Sequence, residues 1–249
     1  MGIADLHTHT SMTDGMMDVG ALLAYVEQQN TLDVIAITDH DELTAGLMAR
    51  DLHDRHGYRA QVIVGIEITT QSGHLIGLFL ERPIARLQSL EDTLQAIHEQ
   101  GGIAIVPHPL SWLTFSVGQG SIERVRASTT RGVYFDGIEV ANPSLAGRVT
   151  REKTIHLNRT QFHLAEIGAS DAHFLPVLGS GYTTFEGSTP EELKQAILGR
   201  STTGSAAEVP LSKIGYGAIV QQQVRSLVVQ PTKQLSRPIR ALFAGEQPK

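Results

Sequence analysis

Short apolar runs alternate with longer amphipathic segments along the chain. Short apolar runs favour buried strands, whereas apolar residues three and four positions apart favour helices. We therefore predict strands over Ile3–Leu6, Asp33–Thr38, Gln61–Ile68, His74–Leu80, Ile103–Val106, Gly137–Val140, Ala165–Ala169 and Tyr182–Phe185. We predict helices over Val19–Gln29, Glu42–His56, Ser89–Gln100, Ser144–His163 and Glu191–Leu198.

Several helix ends carry their own signals. Asp18 stands in the N-cap position before Val19–Gln29, where a short polar side chain accepts from free backbone N–H groups. Gly57 follows Glu42–His56, as glycine does after many helices. Thr189 and Glu192 form a capping-box pattern, which predicts a helix start there.

Strands that alternate with helices predict an α/β fold with mainly parallel strands. The pattern holds about seven such units, so we predict an irregular seven-stranded (β/α)7 barrel. An open doubly wound sheet is the alternative. No glycine-rich dinucleotide or phosphate-loop pattern follows any predicted strand. The absence of these patterns weakens the doubly wound alternative.

The last part of the chain differs in composition. We predict a barrel domain over residues 1–205 and a helical appendage over residues 206–249, a region with three consecutive glutamines and a spaced set of apolar residues. That set is Leu211, Ile214, Ile219, Val220, Val224, Leu227 and Val228. The appendage packs on the barrel in the first interpretation and mediates homo-oligomerisation in the second.

Composition narrows the function only a little. The 249 residues are 41% hydrophobic, and the formal net charge is −6. This negative balance disfavours long nucleic acids, which need a basic surface. The chain has no cysteine, which excludes disulfides and thiolate metal sites. We see no signal peptide and no apolar run long enough to span a membrane, and expect a soluble cytoplasmic protein.

Histidines and carboxylates recur where predicted strands end. Barrel strands share one rim at their C-terminal ends, so these side chains should converge there. The residues concerned are His7, His9, Asp14, Asp39, His40, Glu67, His74, His108, Asp171 and His173. Five other histidines, His53, His56, His98, His156 and His163, lie in predicted helices, and we interpret them as structural or surface residues.

This donor set predicts a metal centre. Imidazole nitrogen and carboxylate oxygen together suit zinc, manganese or iron(II) rather than calcium. Glu67 could bridge two metals, and a bridging hydroxide would then attack phosphorus. We take Glu67 and Asp171 as catalytic residues and Asp39 as a residue that orients an imidazole.

The order of these motifs resembles a known family. The motifs are Asp5-Leu6-His7-Thr8-His9-Thr10, Asp14-Gly15, Ile37-Thr38-Asp39-His40-Asp41, Gly65-Ile66-Glu67, Pro107-His108-Pro109 and Ser170-Asp171-Ala172-His173. Together they resemble the polymerase and histidinol phosphatase (PHP) domain over about residues 3–205.

The resemblance implies a distorted seven-stranded barrel with a trinuclear centre. It assigns His7, His9, Glu67 and Asp171 to a first metal. It assigns Glu67, His108 and either His74 or a neighbour of it to a second metal. It assigns Asp14, His40 and His173 to a third metal.

We therefore predict a metal-dependent phosphoesterase that hydrolyses a small phosphomonoester and binds two or three divalent metals. Three rivals stay open: an exonuclease acting on single-stranded ends, a non-catalytic metal-binding module, and an amide or lactone hydrolase using the same hydroxide. Arg131, Asn142 and Arg148 are candidate substrate contacts, and Trp112 could stack on a ring of the substrate.

Overall fold

The computed structural model describes residues 1–207 and 209–229. Its strands form one nine-stranded sheet. They are β1 (Gly2–Asp5), β2 (Val34–Ile37), β3 (Gln61–Thr70), β4 (Gly73–Leu78), β5 (Ile103–Val106), β6 (Gly137–Ala141), β7 (Ala165–Gly168), β8 (Gly181–Phe185) and β9 (Thr203–Ala206). The helices are α1 (Val19–Gln29), α2 (Thr44–His56), α3 (Leu90–Glu99), α4 (Gln119–Arg126), α5 (Leu145–Arg148), α6 (Arg151–Leu157), α7 (Pro190–Leu198) and α8 (Tyr216–Val224).

The sheet is a nearly closed barrel with the order β7-β6-β5-β4-β3-β2-β1-β8-β9. Beyond the end of β1, Thr8 pairs in parallel with Ala172, which lies beyond the end of β7. The backbone N–H of His9 donates to the carbonyl of Ala172 at 2.9 Å. The two edges of the seven-stranded wall therefore meet at the rim that carries the predicted ligands.

Away from that rim, the hairpin β8–β9 lies between β1 and β7. β8 pairs antiparallel with β1 and with β9. The Thr183 hydroxyl contacts the backbone of Gly168 in β7, and the Thr202 hydroxyl donates to the Glu166 carbonyl. The α/β barrel prediction is confirmed, but the strand count was seven and the sheet has nine, because this hairpin continues the sheet past β1.

The expectation of mainly parallel strands is wrong for β4. It runs antiparallel to both β3 and β5. Only Gln71 and Ser72 separate β3 from β4, and a link this short makes a hairpin rather than a parallel crossover. The start of β4 therefore lies at the same rim as the end of β3.

The helix ends follow the sequence signals where a cap is strong. The Asp18 carboxylate accepts from the N–H groups of Gly20 and Ala21. Thr189 and Glu192 form the complete capping box. The single helix predicted over Ser144–His163 is instead α5, α6 and a π-helical turn at Asn158–Phe162. The sequence prediction also missed α4 and β9.

Large aliphatic side chains fill the space between the sheet and its helices. Fully buried examples are Leu22 of α1, Leu94 and Ile97 of α3, and Leu193 and Ile197 of α7. Within the described part of the chain, no helix combines the length and apolar character needed to cross a membrane.

The start of the predicted appendage is helical. After β9 come a 3₁₀ turn (Leu211–Lys213), α8 and a π-helical turn (Arg225–Val229). Three members of its predicted apolar set, Val220, Val224 and Leu227, are exposed, whereas Gln222 is buried. The side chains of Leu211 and Val228 lie outside the described residues, as do residues 230–249. The domain division stays a prediction, and β9 extends one residue past its boundary.

Candidate metal centre

The structure brings all nine predicted metal ligands together at the rim. Five overlapping groups of three donors each have ligand atoms within 4.8 Å of one another. They are His7, His108 and Asp171; His7, His9 and Glu67; His9, Asp171 and His173; His9, Asp14 and His40; and His40, Glu67 and His74. The five histidines interpreted as structural belong to none of these groups.

Glu67 occupies the middle of the cluster and is almost fully buried. Its Oε1 lies 2.9 Å from His74 Nδ1 and 3.0 Å from His108 Nε2. Its Oε2 lies 3.3 Å from a nitrogen of each of His7, His9 and His40. The two oxygens of one carboxylate thus face two different sets of imidazoles.

His74 reaches this centre because of the antiparallel strand. It stands at the start of β4, opposite Thr69 of β3. A parallel β4 would start at the other end of the barrel. Strand direction therefore decides that His74 contacts Glu67.

A second group of candidate ligands surrounds Asp14. Its Oδ2 lies 3.2 Å from His173 Nε2 and 3.7 Å from His40 Nε2. Its Oδ1 lies 3.7 Å from His9 Nδ1. Asp14 reaches this position because its loop folds back tightly: a Cβ added to Gly15 would lie 2.3 Å from the His9 carbonyl oxygen.

Asp171 contacts histidines of both groups, the one around Glu67 and the one around Asp14. Its Oδ1 lies 3.4 Å from His9 Nε2, 3.6 Å from His7 Nε2 and 3.7 Å from His173 Nδ1. Its φ angle is +53° and that of His108 is +29°, in a region that costs a non-glycine residue about 1–2 kcal/mol. Strained backbone at two candidate ligands is a feature of functional sites.

The donor atoms fit divalent metals. His9 Nδ1 and Asp14 Oδ1 are buried and have no hydrogen-bond partner, and the buried His74 Nδ1 lies near Glu67 without hydrogen-bond geometry. Buried polar atoms without partners are costly, and metal coordination would satisfy them. Nitrogen and oxygen donors at these separations suit zinc, manganese or iron(II).

The electrostatics also favour cations. Burial by itself would lower the pKa of His9, but Asp171 and Glu67 outweigh it and raise that pKa to about 10. Burial opposes ionisation of Glu67, yet the imidazoles that surround its two oxygens together hold its pKa well below the usual range. Burial lowers the pKa of His40 to about 4, so this imidazole is neutral at pH 7 and one of its ring nitrogens has a lone pair for a metal.

Hydrogen bonds behind the ligands fix which imidazole nitrogen faces the centre. Glu139, which is buried in β6, lies 2.8 Å from His7 Nδ1 through its Oε1. A carboxylate only accepts, so Nδ1 carries the proton and Nε2 faces Glu67. Ser116 Oγ donates to the His108 carbonyl and accepts from His108 Nδ1, both at 2.8 Å. Such outer contacts orient ligands and raise their basicity.

The sequence prediction missed Glu139. Its Oε2 accepts from the His108 N–H at 2.7 Å and from Asn142 Nδ2 at 2.8 Å. The available signal was a lone acid inside the apolar strand β6. Such an acid needs partners when buried, but the sequence does not show that His7 is one of them.

Asp39 is buried, but its contacts differ from the predicted ones. It accepts from the Thr10 N–H at 2.7 Å and from the hydroxyls of Thr10 and Thr13. We predicted that it orients an imidazole. It instead holds the loop that carries Asp14, and burial raises its pKa.

The three predicted substrate contacts lie in different places. Arg148, at the end of α5, lines a cavity together with Asp171 and His173. Asn142 is buried, donates to Glu139 and accepts from the Ser144 N–H. Arg131 precedes β6 and lies with His98 at the other end of that strand. The prediction that Arg131 faces the site is therefore wrong, because the loop before a strand opens at the opposite end of the barrel.

Comparison with known proteins agrees with this geometry. A family model described as PHP-associated matches residues 158–202. A two-domain protein from Bacteroides vulgatus, described as containing a predicted PHP-like metal-dependent phosphoesterase, has a similar fold. The TM-score is 0.65 at 19% identity, over 90% of this chain and 69% of that one. The chain belongs to the PHP family.

Sequence relatives cover different parts of this PHP chain. An uncharacterized protein of Methanocaldococcus jannaschii, MJ1587, is 33% identical over 150 residues, which are 56% of this chain and 81% of that protein. The 5'-3' exoribonuclease Rnm of Escherichia coli is 35% identical over 83 residues. That match covers 32% of this chain and 28% of Rnm.

Proposed function

We propose that this protein is a metal-dependent phosphoesterase that hydrolyses small phosphomonoesters. The observation that carries the proposal is the position of Glu67, whose two oxygens face separate sets of imidazoles at 2.9–3.3 Å. A carboxylate in this position suits a bridge between two metals, which is the arrangement of two-metal phosphatases.

The first two of the three proposed ligand sets share Glu67. The first is His7, His9, Glu67 and Asp171. The second is Glu67, His74 and His108. The third is Asp14, His40 and His173. Manganese, zinc or iron(II) in these sets, when bound, supplies a hydroxide nucleophile near neutral pH and offsets phosphate charge.

The chain's own residues prepare this site in three ways. Glu139 and Ser116 hold protons on His7 Nδ1 and His108 Nδ1, which presents both Nε2 atoms to the centre. Asp39 fixes the Asp14 loop through Thr10 and Thr13. These contacts keep the donors in place before any ligand binds, so little reorganisation remains.

Phosphate release from a panel of esters tests the proposal. The panel contains histidinol phosphate, mononucleotides, nucleoside 3′,5′-bisphosphates and sugar phosphates, with manganese present. Asp171→Asn removes a proposed ligand charge. Asp54→Asn, at an exposed aspartate of α2, is the matched control. We expect release by the wild type and the control, and a loss of at least a hundredfold in Asp171→Asn. Equal rates in all three proteins would refute the proposal.

A second candidate function is removal of nucleotides from a single-stranded 5′ end. Two observations favour it: the similarity to the exoribonuclease over 83 residues, and Trp112, which is 79% exposed next to Leu113 at the mouth of the site. An exposed ring can stack on a base. Shortening of a 5′-labelled oligonucleotide at low salt, reduced in Trp112→Ala, would support this function over the first.

A further inference from the structure

A second cavity, of about 380 Å³, opens beside the metal centre. The cavity over the ligands measures about 440 Å³. The residues that line both are Ser144, Leu145, Asp171, His173, Gln222 and Gln223. A phosphate held at the ligands would therefore have its ester group next to this second cavity.

The walls of the second cavity are mainly apolar. Phe174 and Val177 contribute the side that follows the Asp171–His173 loop. Val209, Ile214 and Ile219 contribute a second part of the wall, from the C-terminal segment. Arg148 also lines the cavity. Most of the cavity surface is nevertheless apolar, so a sugar bound there would leave hydroxyl groups without hydrogen-bond partners, which is costly.

The C-terminal wall is attached to the metal-binding loop. Arg225 donates to the carbonyl oxygens of Ser11 at 2.6 Å and of Thr13 at 3.1 Å. Gln222, one helical turn earlier, is 7% exposed and accepts from Gln223 at 2.9 Å. The two Arg225 contacts hold the end of α8 against the loop that carries Asp14.

We propose that this second cavity binds the organic part of the substrate and takes an apolar, ring-sized group. The inference rests on the proposed function only in placing the phosphate at the ligands. A volume of about 380 Å³ lies within the range of small-molecule pockets, about 300–1,000 Å³. The exposed side chains of Leu145 and Leu227 extend the apolar surface to the mouth of the site.

Two phosphonates test the proposal by binding alone. Phenylphosphonate and methylphosphonate share the same charged group and are not esters, so neither is hydrolysed. Calorimetric titration of the full-length, manganese-loaded protein gives both dissociation constants. We expect phenylphosphonate to bind at least tenfold more tightly, because burying a ring contributes more than the ~1.4 kcal/mol that a tenfold change requires.

Variants of the two walls locate the preference. Ile219→Asn and Phe174→Ala alter the parts of the wall that come from α8 and from the segment after His173, and each should lower the affinity ratio at least fivefold. Val220→Asn makes a comparable change at the next position of α8, where the side chain is 63% exposed. This control should keep the wild-type ratio. Thermal melts check that each variant is folded.

Kinetics then separate the two proposals. For the wild type and each variant, kcat/KM for phenyl phosphate is divided by kcat/KM for ethyl phosphate. The intrinsic reactivity of the two esters is the same in every protein, so a change in this ratio between proteins reports on the subsite. Equal affinity of the wild type for both phosphonates, or a ratio unchanged in both wall variants, would overturn the apolar subsite. Selective phosphonate binding without phosphate release from any ester would refute phosphomonoester hydrolysis and leave the subsite standing.

Discussion

Glu139→Gln tests whether a carboxylate behind the ligands controls the metal centre. In the wild type, Glu139 Oε1 faces His7 Nδ1 at 2.8 Å, and Oε2 accepts from the His108 N–H and from Asn142 Nδ2. Glutamine has nearly the same shape but offers one acceptor and one donor. All three groups facing Glu139 are donors, so the amide cannot satisfy them all.

The orientation of the new amide decides the consequence. If its oxygen takes the place of Oε2, its NH2 group faces His7 Nδ1. The His7 proton must then move to Nε2, the atom that lies 3.3 Å from Glu67 and 3.0 Å from His9 Nε2. A protonated Nε2 cannot bind a metal. The opposite orientation sets the NH2 group against two N–H donors.

We expect Glu139→Gln to weaken metal affinity by about ten- to hundredfold, which is the usual effect of such outer contacts and corresponds to about 1.4–2.7 kcal/mol. Chelator competition measures the dissociation constants of manganese and zinc. Glu166→Gln, on the neighbouring strand β7 where the carboxylate pairs with Arg159 at 2.9 Å, is the matched control. Unchanged affinity in Glu139→Gln, with its fold intact, would refute the argument.

Two further predictions concern the pH dependence and the Asp14 loop. The pKa of His9 is raised to about 10 in the folded protein, against about 6.5 in an unfolded chain. Protonated His9 therefore stabilises the metal-free protein fully below pH 6.5, and this stabilisation is lost as the pH rises toward 10. The Tm in chelator should therefore fall over that range, and a slope as steep in His9→Gln would contradict this origin. Asp39→Ala leaves the donors of Thr10 and Thr13 unpaired, so we expect a loss of about 1–3 kcal/mol in urea unfolding. A loss no larger than that of an exposed aspartate, Asp54→Ala, would show that these contacts contribute little.

Local sequence signals predicted much of the fold because they act over a few residues. The ends of α1 and α7 follow from Asp18, Thr189 and Glu192, whose side chains accept backbone N–H groups within one helical turn. The missed strand β9 has the sequence Thr-Gly-Ser-Ala, which has little apolar character. It is a strand because β8 supplies its hydrogen bonds, and that partner is not visible in the local pattern.

The sequence by itself determined which residues gather at the rim. Strand ends in a barrel converge whatever the details of packing, so His7, Glu67, His108 and Asp171 could be predicted together from their positions after apolar runs. The family motifs agreed with this prediction because they consist of the same residues.

Only the tertiary structure decided the contacts that depend on direction and distance. The antiparallel direction of β4 brings His74 to Glu67. The buried position of β6 in the barrel brings the Glu139 carboxylate to His7. Arg131 shows the converse, since it precedes its strand and lies at the far end of the barrel. The path of α8, held by Arg225, supplies one wall of the second cavity. Each of these features depends on residues that are far apart in the chain. Packing of the whole fold sets the distance between them, and the local sequence pattern does not.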